Sequence, residues 1–350
     1  MSLEPLAGFR SLETHHCVTG SMLHIYHAHA HPVSEELLLG IGSGLGFVYW
    51  HQRGAPPMLG GRGNVGRPGE DGLEITAGRR TGVHVERHST GSARKAEAAL
   101  VQLLEAGEPV MLQVDMGFLP YVQGLPEGYH FGYHVISVGG YDPDSRRVLV
   151  ADRDAPLHPV SLADLARARG STYKPFPPRN TWYTFDFSGR RPPIADEVRQ
   201  ALGETCGAML EAPIANLGVR GIRKAAAEVS RWPQRMSEAD LRLACQQAFL
   251  FIDAAGGTGG GIFRRMYARF LYEAAVLLGD PGLDEAGREL HDIAEAWQEI
   301  GALFSEAGQD AGQTYALSEI PPRLNRMAER EAALWGGIRA RLGPAPAEDG

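Results

Sequence analysis

The sequence predicts an α+β domain followed by an all-α domain, and three observations carry that expectation. The chain has 350 residues, more than the roughly 250 to 300 that one hydrophobic core ordinarily serves. Short β-type runs such as "GVHVERH", "EPVMLQVDM", "GYHVISVGGYD" and "RRVLVAD" are all found before Pro193. Beyond Pro193 the apolar residues recur at helical spacing with almost no strand signal. The α+β domain is expected over 1–188 and the helical one over 193–343, divided at "SGRRPP", residues 188–193.

The first element is a short helix from Cys17 to about Ala30, closed by Pro32, and "SEELLLG" follows as a second helical turn that Ser34 can cap. "IGSGLGFVYW" then runs from glycines 42, 44 and 46 into an apolar strand. A helix is predicted over Ser92–Ala106, where Ala96, Ala99, Leu100, Leu103 and Leu104 form one stripe and Gly107 terminates it. The turn "DPDS" joins "GYHVISVGGYD" to "RRVLVAD" as a hairpin, and "TWYTFDF" is the last strand. Helices are then predicted in "ADEVRQALGETCGAML", "EADLRLACQQAFLFIDAA", "GIFRRMYARFLYEAAVLLG", "DEAGRELHDIAEAWQEIGALFSEAG" and "PRLNRMAEREAALWGGIRARLG", with "PAPAEDG" as a polar tail. No internal repeat points to a solenoid.

Composition narrows the function. With 43% hydrophobic and 22% charged residues the chain has the profile of an ordinary globular protein. A net charge of -8 argues against nucleic acid as a partner. The three cysteines, Cys17, Cys206 and Cys245, are odd in number and widely spaced, which suits a reducing compartment. With no basic and apolar leader and no run of about 18 apolar residues, a cytoplasmic protein that binds no membrane is expected.

One cysteine and six histidines crowd into "ETHHCVTGSMLHIYHAHAHP", residues 13–32. Thiolate and imidazole are ligands of zinc and copper, and equally the two halves of a cysteine nucleophile and its base. Cys17 would sit at a helix N-terminus, where unpaired backbone N–H groups favour the thiolate. His134, inside an apolar strand, is the best candidate base. Asp152, on the next strand 18 positions later, would fix its tautomer, with Asp154 as competitor. For a metal, Cys17, Ser21, His24, His27 and His31 share a broad helical face. Structural zinc sites, however, combine paired ligands, and the chain has no cysteine pair. No metal is therefore expected, and His24 is assigned to the substrate pocket.

The order cysteine, histidine, aspartate resembles that of the papain-like cysteine peptidase fold, in particular its peptidase C39-like branch, where a histidine strand is followed by "GYD" and then an aspartate strand. More narrowly, "HHCVTGSMLHIY", "SEELLLGIGSGLGFVYW", "VDMGFLPY" and "HVISVGGYDPDSRRVLVAD" resemble the N-terminal domain of butirosin biosynthesis protein H. "GGTGGGIFRRMYARFLYEAA" resembles the helical domain of unknown function that commonly follows it. Together the motifs span nearly the whole chain. The resemblance implies acyl transfer from a carrier-protein thioester to an amine. Cys17 would be the acyl-accepting nucleophile, His134 base and then acid, and Asp152 the orienter. One departure stands out: C39-like peptidases place a glutamine about six residues before the cysteine as an oxyanion donor, and position 11 here is Ser11.

Around this core, Glu35 and Asp115 are candidates to hold a cationic amine, and Tyr121 in "VDMGFLPY" is a further substrate contact. "GGTGGG", residues 256–261, with Arg264 and Arg265 is either an interhelical loop or a contact for the phosphate of a carrier's phosphopantetheine. It lacks the lysine of a nucleotide-binding loop, and "GSGLG" is not a dinucleotide fingerprint. The expected partners are an acyl carrier protein or acyl-coenzyme A donor and a small amine; no cofactor of the protein's own is expected, the 4'-phosphopantetheine belonging to the donor. The apolar helices are candidates for packing on a twin chain. Two alternatives stay open: a cysteine hydrolase (peptidase, amidase or thioesterase) of the same fold, and a non-catalytic histidine-rich metal-binding protein.

Overall fold

The structure, a computed structural model, describes residues 3–52, 55–66, 71–124, 128–253, 257–309 and 314–343. Gly256 of the glycine-rich loop and the "PAPAEDG" tail lie outside them. In chain order the elements begin α1 (Cys17–Ala28), α2 (Glu35–Ile41), β1 (Leu45–Trp50), β2 (Met58–Arg62), α3 (Leu73–Arg80), β3 (His84–His88), α4 (Ala93–Glu105) and β4 (Val110–Val114). There follow β5 (His134–Asp142), β6 (Arg147–Ala151), β7 (His158–Ser161), α5 (Leu162–Arg169) and β8 (Trp182–Asp186). The remainder is helical: α6 (Ala195–Leu210), α7 (Gly218–Val229), α8 (Trp232–Arg235), α9 (Glu238–Ile252), α10 (Gly261–Leu278), α11 (Pro281–Gln309) and α12 (Thr314–Leu342). The fold is α+β. Among the described residues no helix is long and apolar enough to cross a membrane.

The chain forms two compact units, and each is built from two separate stretches. Residues 1–38 and 81–192 make the first, residues 39–80 and 193–350 the second. One cut near 188–193 therefore does not describe the division, because β1, β2 and α3 lie with the helices. That also corrects the expectation of an all-α second domain.

The first unit is a six-stranded antiparallel sheet in the order β3-β8-β4-β5-β6-β7. The β5–β6 hairpin closes at Asp142 opposite Arg147, around the "DPDS" turn. Residues from α4, β4, β5, β6 and α5 share one core, including Leu100, Leu104, Leu112, Ile136, Val138, Val150 and Leu165. Burying one such side chain contributes on the order of 1.5 to 3 kcal/mol. The α4 cap is the serine before its apolar stripe: Ser92 accepts from the Lys95 backbone N–H at 3.3 Å. Ser34 likewise accepts from the Leu37 N–H at 2.9 Å, starting α2.

In the second unit the β1–β2 ribbon meets the helices through backbone and ring contacts. Asn216 brackets Tyr49, its carbonyl accepting from the Tyr49 N–H at 2.9 Å and its side-chain amide donating to the Tyr49 carbonyl at 2.9 Å. Phe47 stacks on Trp297 at 5.6 Å. The glycine-rich loop owes its composition to this ribbon. A Cβ on Gly61 would come within 1.8 Å of the Thr258 carbonyl oxygen, and one on Gly259 within 2.0 Å of that of Leu59. Gly44 and Gly46 serve the same unit, Gly46 passing close to Gly63.

Candidate active site

Cys17 is the first residue of α1, preceded by His16 in extended conformation (φ -120°, ψ 131°). Its thiol is half-buried and unpaired. His134 opens β5, and Asp152 follows directly on β6 in the neighbouring antiparallel strand. The His134 imidazole donates from Nε2 to Oδ2 of Asp152 at 2.8 Å, both side chains being buried. With Nε2 committed, Nδ1 is the ring atom left for the thiol, and the ring is hydrogen-bonded to Cys17.

Burial raises the cost of a thiolate here, but hydrogen bonds and charge from His134 and His16 outweigh it, so Cys17 lies well below the usual thiol range. For His134 burial acts against the charged ring, and the Asp152 charge and hydrogen bond together with Cys17 reverse it, pushing the imidazole up to about 10. Burial also works against the Asp152 carboxylate, which His134 and Tyr121 nonetheless hold below the usual carboxylate range. Cys206 and Cys245 have no such partners, and burial pushes both thiols up to about 12. The Cys17–His134 pair is thus shifted toward thiolate and imidazolium, and Cys17 is the one thiol of the three whose pKa is lowered.

The carboxylates and rings around this chain serve to position it. Glu35 accepts the backbone N–H groups of His15 and His16, each at 2.8 Å, and the Thr19 hydroxyl at 2.9 Å. It caps the cysteine helix from α2. Tyr121 donates to Asp152 Oδ2 at 2.9 Å and is covered by His158, whose ring stacks on it at 4.0 Å and is held by Asp154 at 2.8 Å. Asp154 therefore belongs to His158, and Asp152 to His134. Ser11, at the position of the missing glutamine, donates to the Asp154 carbonyl at 2.6 Å.

Most of the assigned substrate contacts are corrected by these placements. The oxygens of Glu35 are filled by the helix it caps. Asp115 is fully buried and takes four donors: the Gly117 N–H at 3.0 Å, the Phe131 N–H at 3.1 Å, His130 Nδ1 at 2.9 Å and the Ser171 hydroxyl at 2.6 Å. Neither carboxylate is left to bind an amine. Tyr121 holds Asp152 instead of substrate. His24 is fully buried; its Nε2 donates to the Leu12 carbonyl at 3.2 Å and its Nδ1 accepts from Ser137 at 2.8 Å. Burial lowers its pKa to about 4, so it is a neutral core residue.

In the second unit Arg264 is fully buried, bonded through two nitrogens to Glu331 at 3.1 Å each, with Trp297 donating to the same carboxylate at 2.7 Å. It is out of reach of a carrier's phosphate. Arg265 is paired with Glu295 at 2.9 Å.

Of the remaining histidines in the opening stretch, His29 stacks on Phe187 at 4.3 Å and His31 on Tyr26 at 5.4 Å. Among the described residues no group of three or more histidine, cysteine or acidic side chains is placed to hold a metal. Two polar contacts escaped the sequence reading. One is His16, a second imidazole on the thiol, for which the "HHC" triplet was the available signal. The other is the pair of buried Asp115 and partly exposed His130, which no spacing announced.

A low-lying thiol at a helix N-terminus, an imidazole on it and a carboxylate behind that imidazole form the constellation of cysteine-nucleophile enzymes. Comparison with known families places the chain more narrowly. The family model "Butirosin biosynthesis protein H, N-terminal" matches residues 16–153, and "Domain of unknown function (DUF4872)" matches residues 163–337. The chain belongs to the family that joins these two domains. No curated protein matches it.

Proposed function

We propose that this chain is a cysteine-dependent N-acyltransferase of specialised-metabolite biosynthesis, built on a papain-like, C39-like unit. The membership in the butirosin biosynthesis family supports a biosynthetic enzyme. The observation that carries the acyl-transfer reading is the Cys17–His134–Asp152 chain, with Nε2 of His134 2.8 Å from Asp152. In this reading the Cys17 thiolate attacks a thioester carbonyl. The donor's C–S bond breaks, the donor sulfur leaves with the proton of the His134 imidazolium, and an acyl-Cys17 thioester remains. Exchange of one thioester for another is nearly thermoneutral, so Cys17 needs nucleophilicity more than a strong driving force. A neutral amine then attacks the acyl carbon and gives one proton to the now neutral His134, the bond to Sγ breaks, Cys17 leaves as thiolate, and an amide is formed. Holding the amine in place favours it over water, since positioned reactants reach effective molarities of about 10⁵ to 10⁸ M.

The donor is an acyl carrier protein or acyl-coenzyme A, and the 4'-phosphopantetheine is the donor's. The three cysteines left unpaired in the structure fit a reducing, cytoplasmic setting. The hydrolase alternative uses the same site with water as acceptor. Intact mass after exposure to acyl thioesters tests the reading: the wild type gains an acyl adduct and Cys17→Ala does not. Adducts that persist in Cys17→Ala would sink the nucleophile assignment. Adduct turnover that no amine accelerates would favour the hydrolase.

A further inference from the structure

Residues 130–133 lead into His134, and three of the four are tied to the end of β4. Nδ1 of His130 donates to Oδ2 of Asp115 at 2.9 Å, and the Phe131 N–H donates to Oδ1 at 3.1 Å. The Phe131 carbonyl accepts from the Met116 N–H at 3.1 Å, and the Gly132 carbonyl accepts from the Gln113 side-chain amide at 2.8 Å. The fit is close: a Cβ on Gly117 would lie 2.3 Å from the Tyr129 carbonyl oxygen. Asp115 is itself fixed from the side of α5. Its N–H donates to the Ala168 carbonyl at 2.9 Å, and the Ser171 hydroxyl donates to its Oδ2 at 2.6 Å.

Cross-strand pairing does not supply this hold. In the β4–β5 ladder His134 is the last rung, opposite Val114, so pairing supports it from the β5 side and the chain before it needs another anchor. Unanchored ends are where a fold opens most easily. Yet the His134 ring must keep its 2.8 Å bond to Asp152 on the neighbouring strand, and a displacement of about 1 Å at such a group costs as much as about 10²-fold in rate. A carboxylate suits the anchor because its two oxygens accept all four donors, where an amide offers one oxygen. Apolar packing often stabilises a core as well as buried charge does, but it fixes no direction. The buried charge of Asp115 is explained by the direction it gives to the segment before His134.

We propose that Asp115 is a positioning residue for the base: together with Gln113 it clasps residues 130–132 and so sets where His134 enters β5 and how its ring meets Asp152. The inference rests on the Cys17–His134–Asp152 reading under the proposed function. It gives a role in the reaction to a buried carboxylate that binds no amine.

The test follows alkylation of Cys17 by iodoacetamide against pH in the full chain, read by intact mass with Cys17→Ala as the blank. Asp115→Ala raises the pH midpoint of alkylation by about one pH unit or more, toward the ordinary thiol value of about 8.5, because a displaced imidazole no longer favours the thiolate. Gln113→Met keeps the volume and loses the bond to Gly132; it moves the midpoint in the same direction by less and serves if Asp115→Ala does not fold. Ser92→Ala removes the cap of α4, weakening the same unit away from this segment, and leaves the midpoint where it is in the wild type. An unmoved midpoint in whichever clasp variant folds, or an equal rise in Ser92→Ala, would overturn the role of Asp115. A wild-type Cys17 that titrates like an ordinary thiol would instead overturn the underlying reading, and the inference with it.

Discussion

At the scale of single residues, the meeting of Cys17, His134 and Asp152 was legible because the pattern leaves few candidates: one cysteine at a helix start, one histidine in an apolar strand, one acid on the next strand. The choice between Asp152 and Asp154 was not legible, since both sit at the end of the same hairpin. The structure separates them by partner, His134 for one and His158 for the other. Asp152→Ala is expected to slow Cys17 acylation by about 10²-fold or more, because the imidazole loses its tautomer and charge partner. Asp154→Ala is expected to stay within about tenfold of wild type in the same single-turnover assay. Reversed effects would exchange the two assignments.

His24 belongs to the same scale. Its pKa falls from 6.5 when exposed to about 4 in the fold. The unfolded chain therefore binds the proton first as pH drops, and stability is lost between about pH 6.5 and pH 4. The loss is about 3 kcal/mol, nothing being lost above that window and nothing further below it. Urea unfolding at pH 7 and pH 4.5 checks this: His24→Asn should lack that part of the pH dependence, and an unchanged slope would contradict it.

Among the elements, the ones with a clean period or cap came through, such as α4 behind Ser92 and α6 over Ala195–Leu210. Those missed had compositions at odds with their state. Strand β2, "MLGGR", contains two glycines that β-propensity disfavours, yet Gly61 is required where the ribbon meets Thr258. Helix α7 contains Gly221, where a Cβ would lie 2.4 Å from the Asn216 carbonyl oxygen. Helix α12 runs through Pro321 and Pro322, whereas the pattern placed its start at that pair. The tertiary contact decided each residue, and a local reading has no access to it.

The cysteine helix illustrates the same limit. Its cap is Glu35, a residue of the following helix, where a sequence scan looks for a side chain at the N-cap itself. Removing it leaves two backbone N–H groups and one hydroxyl without their acceptor, at about 1 to 3 kcal/mol each when buried. Glu35→Ala is expected to raise amide hydrogen exchange at His15 and His16 by about tenfold or more while leaving that of α4 unaffected. Protection at those two amides equal to wild type would remove Glu35 from its capping role.

For the whole molecule, two bodies were legible from the change in pattern at Pro193, but the interleaving of the chain was not. Residues 39–80 carry the same kinds of glycine-rich and apolar segments as the sheet, and nothing local says which core they enter. Their side chains, among them Leu45, Phe47, Tyr49, Leu59 and Leu73, are buried with the second unit. A fragment cut after Pro192 should therefore expose them. Limited proteolysis is expected to cleave such a fragment within 39–80 at protease levels that spare the full chain. Equal resistance would show that the segment needs no helical partner.

The strand order β3-β8-β4 also sets a timetable. A ribosome delivers Cys17 among the first residues and the strand that joins β3 to β4 among the last of that unit, at Trp182–Asp186. Until His134 and Asp152 have been made, the groups that shift the Cys17 thiol are not on the nascent chain. A product that stops before His134 therefore lacks the imidazole and the carboxylate that shift the Cys17 thiol.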